Sequence, residues 1–273
     1  MRLIVRAPGP AFRDAISGRS DRGTLDPERA VRQHVDFMTE LAVIGMELVE
    51  LPAEPDLPDA TFVWDTVLSF HRSREPDGGS ALLVIARPGA EARRAEVRSV
   101  AERAREIVDR DTEIVEIKDP GTLDGGDVLI FGDRVALGVS GRTDEGGARQ
   151  LAEAVTGFGY RPFLCPVGGR LHLASGVSVV RADRRIGTRA GFASLDAAGP
   201  ELAPIAEIER LLVPDEEAPA ANVLAIGGRC IVPAGFPRTA DRLRAAGEDV
   251  VEVELDEFLR ADGGPTCLVA PIY

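Results

Sequence analysis

Apolar residues in this chain fall into short runs that recur in a fixed order. After Asp127 the run VLIF leads into the turn Gly132-Asp133, and VALGV returns as a second strand. Asp144 stands where an N-cap is wanted. Ala148, Leu151, Ala152 and Val155 then keep helical spacing, and residues 160–166 read as a third strand. The same order follows Asn222: VLAI, Gly227-Gly228, CIVPA, a helix through Leu243, and the strand VVEVEL. It follows Asp65 with a longer hairpin loop at residues 71–79, then ALLVIARPG, a helix carrying Val97, Val100, Ala101, Ala104 and Val108, and TEIVEI. The unit opening at Gly176 is the least regular, because Pro200 and Pro204 interrupt its helix.

Each unit is thus strand–strand–helix–strand, and the units open at Asp65, Asp127, Gly176, Asn222 and Cys267. The intervals are 62, 49, 46 and 45 residues. A repeat of roughly fifty residues predicts a cyclic or stacked architecture. The last unit is incomplete, and the N-terminal residues supply what it lacks. They give a strand at 3–6 and a helix capped by Asp26 with Pro27 at its first position. Val31, Val35, Met38 and Ala42 stripe that helix, and a strand follows at 46–51. The expected fold is a five-bladed α/β propeller of ββαβ units, one domain over residues 1–273. Pairing of the N- and C-terminal strands would close the ring. A doubly wound α/β sheet is the competing arrangement. In the ring the unit openings meet near one axis, with Cys267 at the start of a strand over residues 268–272.

Composition narrows the partners. The 273 residues are 44% hydrophobic, enough for a substantial core. A net charge of −13 argues against nucleic acid and anionic membranes, which want clustered basic surface. No apolar run is long enough for a transmembrane helix, and MRLIVRAPG is too short and too soon interrupted for a signal peptide. Three cysteines (165, 230, 267) without CxxC spacing point to free thiols in a reducing compartment, hence a cytoplasmic location. A homodimer is left open.

The candidate chemistry gathers in LPDATFVWD (57–65), LDGGD (123–127), LHL (171–173) and DGGPTC (262–267). A thiol needs deprotonation to act as a nucleophile, and a histidine is the usual means. Of the three histidines, His34 falls on a helix and His71 in a polar loop, which leaves His172 for Cys267. Cys165 and Cys230 lie inside predicted strands as small buried hydrophobes. Carboxylates such as Asp65, Asp124 and Asp127 near one axis repel unless a cation joins them. One histidine without paired cysteines makes a poor zinc site, so no metal or other cofactor is expected. A guanidinium, whose N–H donors match carboxylates two at a time, is the better cation. Cysteine, histidine and aspartates together then suggest nucleophilic attack on a guanidinium carbon of a small molecule.

These runs, with IARPGAEARR (85–94), GTLDGGDVL (121–129), VSGRTDEGGARQ (139–150) and AAN (220–222), resemble the dimethylarginine dimethylaminohydrolase family, in its order and over nearly the whole chain. The resemblance implies a pentein, the five-bladed α/β propeller of guanidine-modifying enzymes, in agreement with the repeat. It implies metal-free hydrolysis of Nω-methylated arginine to citrulline and a methylamine. Cys267 would be the nucleophile and His172 the general acid, then base. Asp65 and Asp124 match the partners of the guanidinium and the histidine. Asp59, Arg87 and Arg142 match contacts to the amino-acid end of the substrate, and Ile16 falls on a mobile lid. Three positions depart from the family pattern: Trp64 replaces a glutamate, Ala174 a lysine, and Val269 a small polar residue. Trp64 removes a carboxylate beside Asp65, so a guanidino substrate with a different amino-acid end is one alternative. Transfer of the amidino group to an amine is another, and a non-catalytic amino-acid sensor a third.

Overall fold

In the computed structural model, which describes residues 1–20, 23–71, 81–198 and 208–273, the strands form five separate three-stranded sheets. The chain opens with β1 (Arg2–Arg6), α1 (Pro27–Val43) and β2 (Glu47–Leu51). The second blade holds β3 (Val67–His71), β4 (Ala81–Ile85), α2 (Val97–Ile107) and β5 (Glu113–Glu116). The third holds β6 (Val128–Phe131), β7 (Arg134–Val139), α3 (Glu145–Gly157) and β8 (Arg161–Pro166). The fourth holds β9 (Val177–Arg181), β10 (Arg184–Gly187), α4 (Arg189–Asp196) and β11 (Glu209–Leu212). The fifth holds β12 (Leu224–Ile226), β13 (Arg229–Pro233), α5 (Pro237–Ala245) and β14 (Asp249–Val253), and α6 (Asp256–Arg260) and β15 (Ala270–Ile272) end the chain.

Each of these four blades repeats one design. A hairpin joins its first two strands antiparallel, and a helical crossover brings the third alongside the second in parallel. The tight turn Gly227-Gly228 shows why glycine is needed there: both residues have positive φ, 57° and 79°, as a two-residue hairpin turn demands. Helix starts are equally local. Asp26 accepts from the N–H groups of Glu28 and Arg29, and Asp144 from Gly147, relieving donors that the helix itself cannot satisfy. The remaining blade is built from both ends of the chain, since β1 pairs antiparallel with β15 and parallel with β2. The five-bladed α/β propeller expected from the repeat is therefore the fold, and the terminal strands pair as expected. Apolar clusters fill the seams between neighbouring blades; one joins Ile4 and Ala270 to Val67, Leu83 and Val100.

Two expectations need correction. The polar residues that open the units do not start strands. Asp65, Asp127 and Cys267 sit within short 3-10 turns just before the strands, Val63–Asp65, Gly125–Asp127 and Pro265–Leu268, while Gly176 and Asn222 cap the equivalent turns Leu173–Ser175 and Asp215–Ala221. Cys267 belongs to Pro265–Leu268, and its strand begins only at Ala270. Pro265 starts that turn and the Cys267 N–H donates to the Gly264 carbonyl at 3.0 Å, so the backbone becomes extended only at Val269. The expected stripe of α1 holds only at Met38, which packs against the core. Val31 and Val35 are 38% and 49% exposed and Ala42 is exposed, whereas Ala30, Gln33, His34, Phe37 and Leu41 are buried. Phe37 and Leu41 join a cluster with Phe12 and Phe258 that the other face has nothing to match. Gln33 is tolerated inside because its amide bonds the Asp256 carboxylate and the Glu257 N–H.

His71 ends β3 rather than lying in a loop, and its ring lies 3.7 Å from that of Tyr273. The rest of the 71–79 loop, Pro200 and Pro204 lie outside the described residues.

The turns, not the strands, build the site. Val63–Asp65 touches both Pro265–Leu268 and Gly125–Asp127, Gly125–Asp127 touches Leu173–Ser175, and that turn touches Asp215–Ala221. Asn222, capping the last of these, bonds Thr266 and so brings the circle back to Pro265–Leu268.

Candidate active site

His172 caps the turn Leu173–Ser175 and is 3% exposed. Its Nε2 donates to Asp124 Oδ2 at 3.0 Å, while Asp124 Oδ1 accepts the Gly89 N–H at 2.9 Å. Gly126 lies against the other side of the imidazole: a methyl group there would stand 2.5 Å from Nδ1. Burial works against a charged ring, but Asp65, the hydrogen bond to Asp124, and Asp127 outweigh it. They raise the His172 pKa to about 9. The ring is an imidazolium at neutral pH. Asp127 itself is structural, accepting from the Leu173 N–H and the Ser140 hydroxyl.

Asp65 is buried at the end of its own turn. Oδ1 accepts the Gly126 N–H at 2.8 Å and Oδ2 accepts Arg93 Nη1 at 2.6 Å. Burial opposes its ionisation, yet His172, Arg93 and the Gly126 N–H hold its pKa below the ordinary value. Arg93 is buried too. It also pairs with Glu96 at 2.9 Å and donates to the carbonyls of Asp59 and Phe62. Burial raises Glu96 to about 7, against the pull of Arg93.

Cys267 is half-buried, and its sulfur accepts the Gly264 N–H at 3.5 Å. Burial, then the nearby Asp65 charge, pushes the thiol up to about 11. Asn222 ties this turn to that of His172, giving N–H bonds to Thr266 Oγ1 (2.8 Å) and the Ala174 carbonyl (3.3 Å) and accepting from the Thr266 N–H (3.0 Å). Cys165 and Cys230 are buried in β8 and β13 and pushed up to about 12 by that burial. His34 is buried against Phe258, and burial lowers it to about 4, so it is a neutral core residue.

The expected amino-acid-end residues lie around this centre. Both oxygens of the buried Asp59 accept the Ile16 N–H at 3.2 Å, so Asp59 holds the segment on which Ile16 is 39% exposed. Asp262 holds the next two residues, accepting from Ser17 Oγ and the Gly18 N–H at 2.9 and 2.7 Å. Among the described residues it alone of the non-glycines has positive φ, 59°. Arg87 pairs with Asp119 and donates to the Gly121 carbonyl at 3.2 Å. The Arg142 charge bears on Asp59, and the Arg142 backbone abuts Gly89. Trp64 Nε1 donates to the Gly125 carbonyl at 2.6 Å, which lays the indole along the turn leading to Asp127. A cavity of about 1110 Å3 opens beside these turns, its walls including Gly18, Leu171, Asn222, Asp262 and Gly264.

Asp65, Asp124 and His172 present ligand atoms within 4.8 Å of one another, as a metal site would. His172 Nε2 and Asp124 Oδ2 already bond each other, however, and Arg93 supplies a cation beside Asp65.

A family model for arginine deiminase matches residues 89–159. The dimethylarginine dimethylaminohydrolase of Streptomyces coelicolor is 34% identical over 98% of this chain and 95% of its own length. That of Pseudomonas aeruginosa is 30% identical over 97% of each. The chain belongs to the dimethylarginine dimethylaminohydrolase family. The solved Pseudomonas aeruginosa member, as a Cys-to-Ser mutant complexed with citrulline, superposes with a TM-score of 0.87 at 29% identity over 98% of both chains. The N-terminal domain of an arginine dihydrolase, ArgZ, shares the fold at a TM-score of 0.80 and 17% identity.

Within this dimethylarginine dimethylaminohydrolase relative, sequence reasoning missed Arg93, Glu96 and Asp262. The first two stand three apart in EARRAE, which reads as an exposed helical ion pair. Asp262 in DGG reads as a turn former, and the structure bears this out with a left-handed backbone, φ 59°, while nothing in the run points to its bonds with Ser17 and Gly18.

Proposed function

We propose that this protein hydrolyses the guanidino C–N bond of Nω-methylated arginine, giving citrulline and a methylamine, and that residues 1–273 form one catalytic domain for this small-molecule substrate. The observation that carries the reading is the circle of turns. It holds a thiol, an imidazolium on a carboxylate and a second carboxylate around one axis, in a chain whose relatives carry that name. Asp65 receives the substrate guanidinium. Its positive charge beside the sulfur favours the thiolate that burial and Asp65 otherwise disfavour. The Cys267 thiolate forms an S–C bond to the central carbon, and the C–N bond to the methylated nitrogen breaks as His172 gives that nitrogen its proton. A covalent thiouronium remains. Neutral His172 then takes a proton from water, the oxygen adds to the carbon, and the C–S bond breaks to leave the urea and the thiolate. Asp124 orients the ring throughout. Asp59, Ile16, Arg87, Arg142 and Trp64 form the surroundings of the amino-acid end. A cytoplasmic location is the reading that three free thiols support.

The test is a turnover screen of guanidino compounds, methylarginines included, with citrulline and amine both measured. Stoichiometric release of the two supports the reading. An added amine that instead accumulates as a new guanidine would replace hydrolysis with amidino transfer.

A further inference from the structure

We propose that Arg93 is a positioning residue of this site, fixing the Asp65 carboxylate so that its remaining lone pairs meet the substrate guanidinium in one orientation. The inference rests on the reading of Asp65 as guanidinium acceptor.

The first argument is donor accounting. A guanidinium has five N–H donors in a rigid fork. In Arg93, Nε–H donates to Glu96 Oε2 at 3.0 Å and Nη1 to Asp65 Oδ2 at 2.6 Å. Nη2 reaches the Phe62 and Asp59 carbonyls at 3.2 and 3.4 Å and Glu96 at 2.9 Å. All three nitrogens are engaged, and the contacts fall on both Asp65 and the backbone of the segment that carries Asp59 and Asp65. One side chain therefore locks the carboxylate and its supporting chain together. With Gly126 N–H on Oδ1, each Asp65 oxygen has one strong partner and capacity for another.

The second argument is charge. Arg93 and Glu96 alone would form a neutral buried pair, their side chains 5% and 1% exposed. The imidazolium of His172 is matched by its partner Asp124, so adding Asp65 to these pairs still leaves an excess of negative charge in a place with little water. Such an excess is costly unless another cation completes it. Arg93 thus occupies one edge of Asp65 as a built-in guanidinium and leaves the carboxylate set to accept a second one. A lysine could not replace it, because a point charge cannot reach two carboxylates and two carbonyls at once.

The experiment measures kcat and KM for dimethylarginine in wild type, Arg93→Lys, Asp65→Asn and the double variant, with melting temperatures for each. Arg93→Lys should raise KM on the order of tenfold while kcat changes little, the signature of lost uniform binding. The double variant should have the KM of Asp65→Asn alone, since Arg93 acts through Asp65. An unchanged KM in Arg93→Lys, or additive losses in the double variant, overturns the proposal. A wild-type KM in Asp65→Asn instead overturns the reading beneath it, whatever Arg93 does.

Should Arg93→Lys fail to fold, Glu96→Gln carries the test. Glu96 faces Arg93 on its own segment, Asp59 and Asp65 across from it, and Arg6 of β1. When Glu96 takes up its proton near pH 7, Arg93 draws more strongly on Asp65, and a cationic substrate binds less well. The wild-type KM should rise as pH falls through about 7, and Glu96→Gln should show no such step. A step that persists in Glu96→Gln overturns the proposal.

Discussion

The Nε2 of His172 stands 3.0 Å from Asp124 Oδ2, and this contact selects the nitrogen that is left for chemistry. A carboxylate oxygen can only accept, so Nε2 keeps its hydrogen and Nδ1 becomes the site of proton exchange. Nδ1 lies against Gly126, whose N–H is simultaneously given to Asp65. One residue without a side chain thereby adjoins both the proposed acid–base group and the proposed guanidinium acceptor.

Gly126→Ala should therefore disable the enzyme with its fold intact. The added methyl would come within 2.5 Å of Nδ1 and must turn the ring away from its working position. A loss of about a hundredfold in kcat is expected. Wild-type kcat in this variant would show that the ring position is not critical.

Cys267→Ser should abolish turnover, whereas Cys165→Ser and Cys230→Ser should retain it. The latter two sulfurs are shut inside strands and held protonated, while Cys267 is half-exposed beside the cavity. Mass mapping after a thiol-directed inactivator should find Cys267 labelled first, with substrate giving protection. Labelling of Cys165 or Cys230 ahead of it would contradict the assignment.

The raised pKa of His172 predicts two pH effects. As a general acid it must be protonated, so kcat should fall as pH rises through about 9. In stability, a histidine whose folded pKa exceeds its unfolded value contributes fully below about 6.5 and loses that contribution as pH climbs to about 9. Thermal melts between pH 7.5 and 9 should fall in wild type and stay flatter in His172→Gln. That variant should also accumulate a covalent adduct, visible by intact mass, if amine leaves but water is not activated. Parallel melting curves in the two proteins would refute the link to His172.

Trp64 should govern selectivity at the amino-acid end. Its indole N–H is committed to the Gly125 carbonyl, so the position offers no carboxylate to a substrate ammonium. Wild type should discriminate weakly between dimethylarginine and its α-N-acylated and des-amino analogues, and Trp64→Glu should favour the free amine. Comparison of kcat/KM across the three compounds decides it; a ratio unaltered by Trp64→Glu would make the indole a packing residue only. Trp64→Phe, which deletes that hydrogen bond and shrinks a ring packed against a core cluster, should cost about 1–3 kcal/mol of stability.

Legibility in the sequence followed how local each cause was. Strand pairs, helix starts and glycine turns were readable because the residues that determine them adjoin one another, as Asp144 does the N–H of Gly147 and Gly227-Gly228 its hairpin. The repeat pointed to Cys267 and Asp65 at unit openings and to His172 just before one, while Asp124 and the roles of the set came from the resemblance of motifs such as LDGGD. The buried face of α1 was not. Val31, Val35, Met38 and Ala42 keep helical spacing as well as Ala30, Phe37 and Leu41 do, and only contact with Phe12 and Phe258 decides between them. Arg93 was hidden for the same reason. Its i,i+3 partner Glu96 suggests a solvated pair, and nothing nearby in sequence announces that Asp65, far upstream, will complete it.

The pairing of β1 with β15 ties the end of the chain that carries Cys267 to its opening strand. Leu3 and Pro271 are register partners, a contact that spans almost the entire sequence and has the largest loop to close. A fragment stopping before Ala270 has four blades' worth of strand pairs within reach and keeps Thr266 on Asn222, yet it leaves β1 with an open edge just beyond the Cys267 turn. Completion of this blade therefore waits on the contacts of greatest sequence separation, and the surroundings of Cys267 are finished only with it.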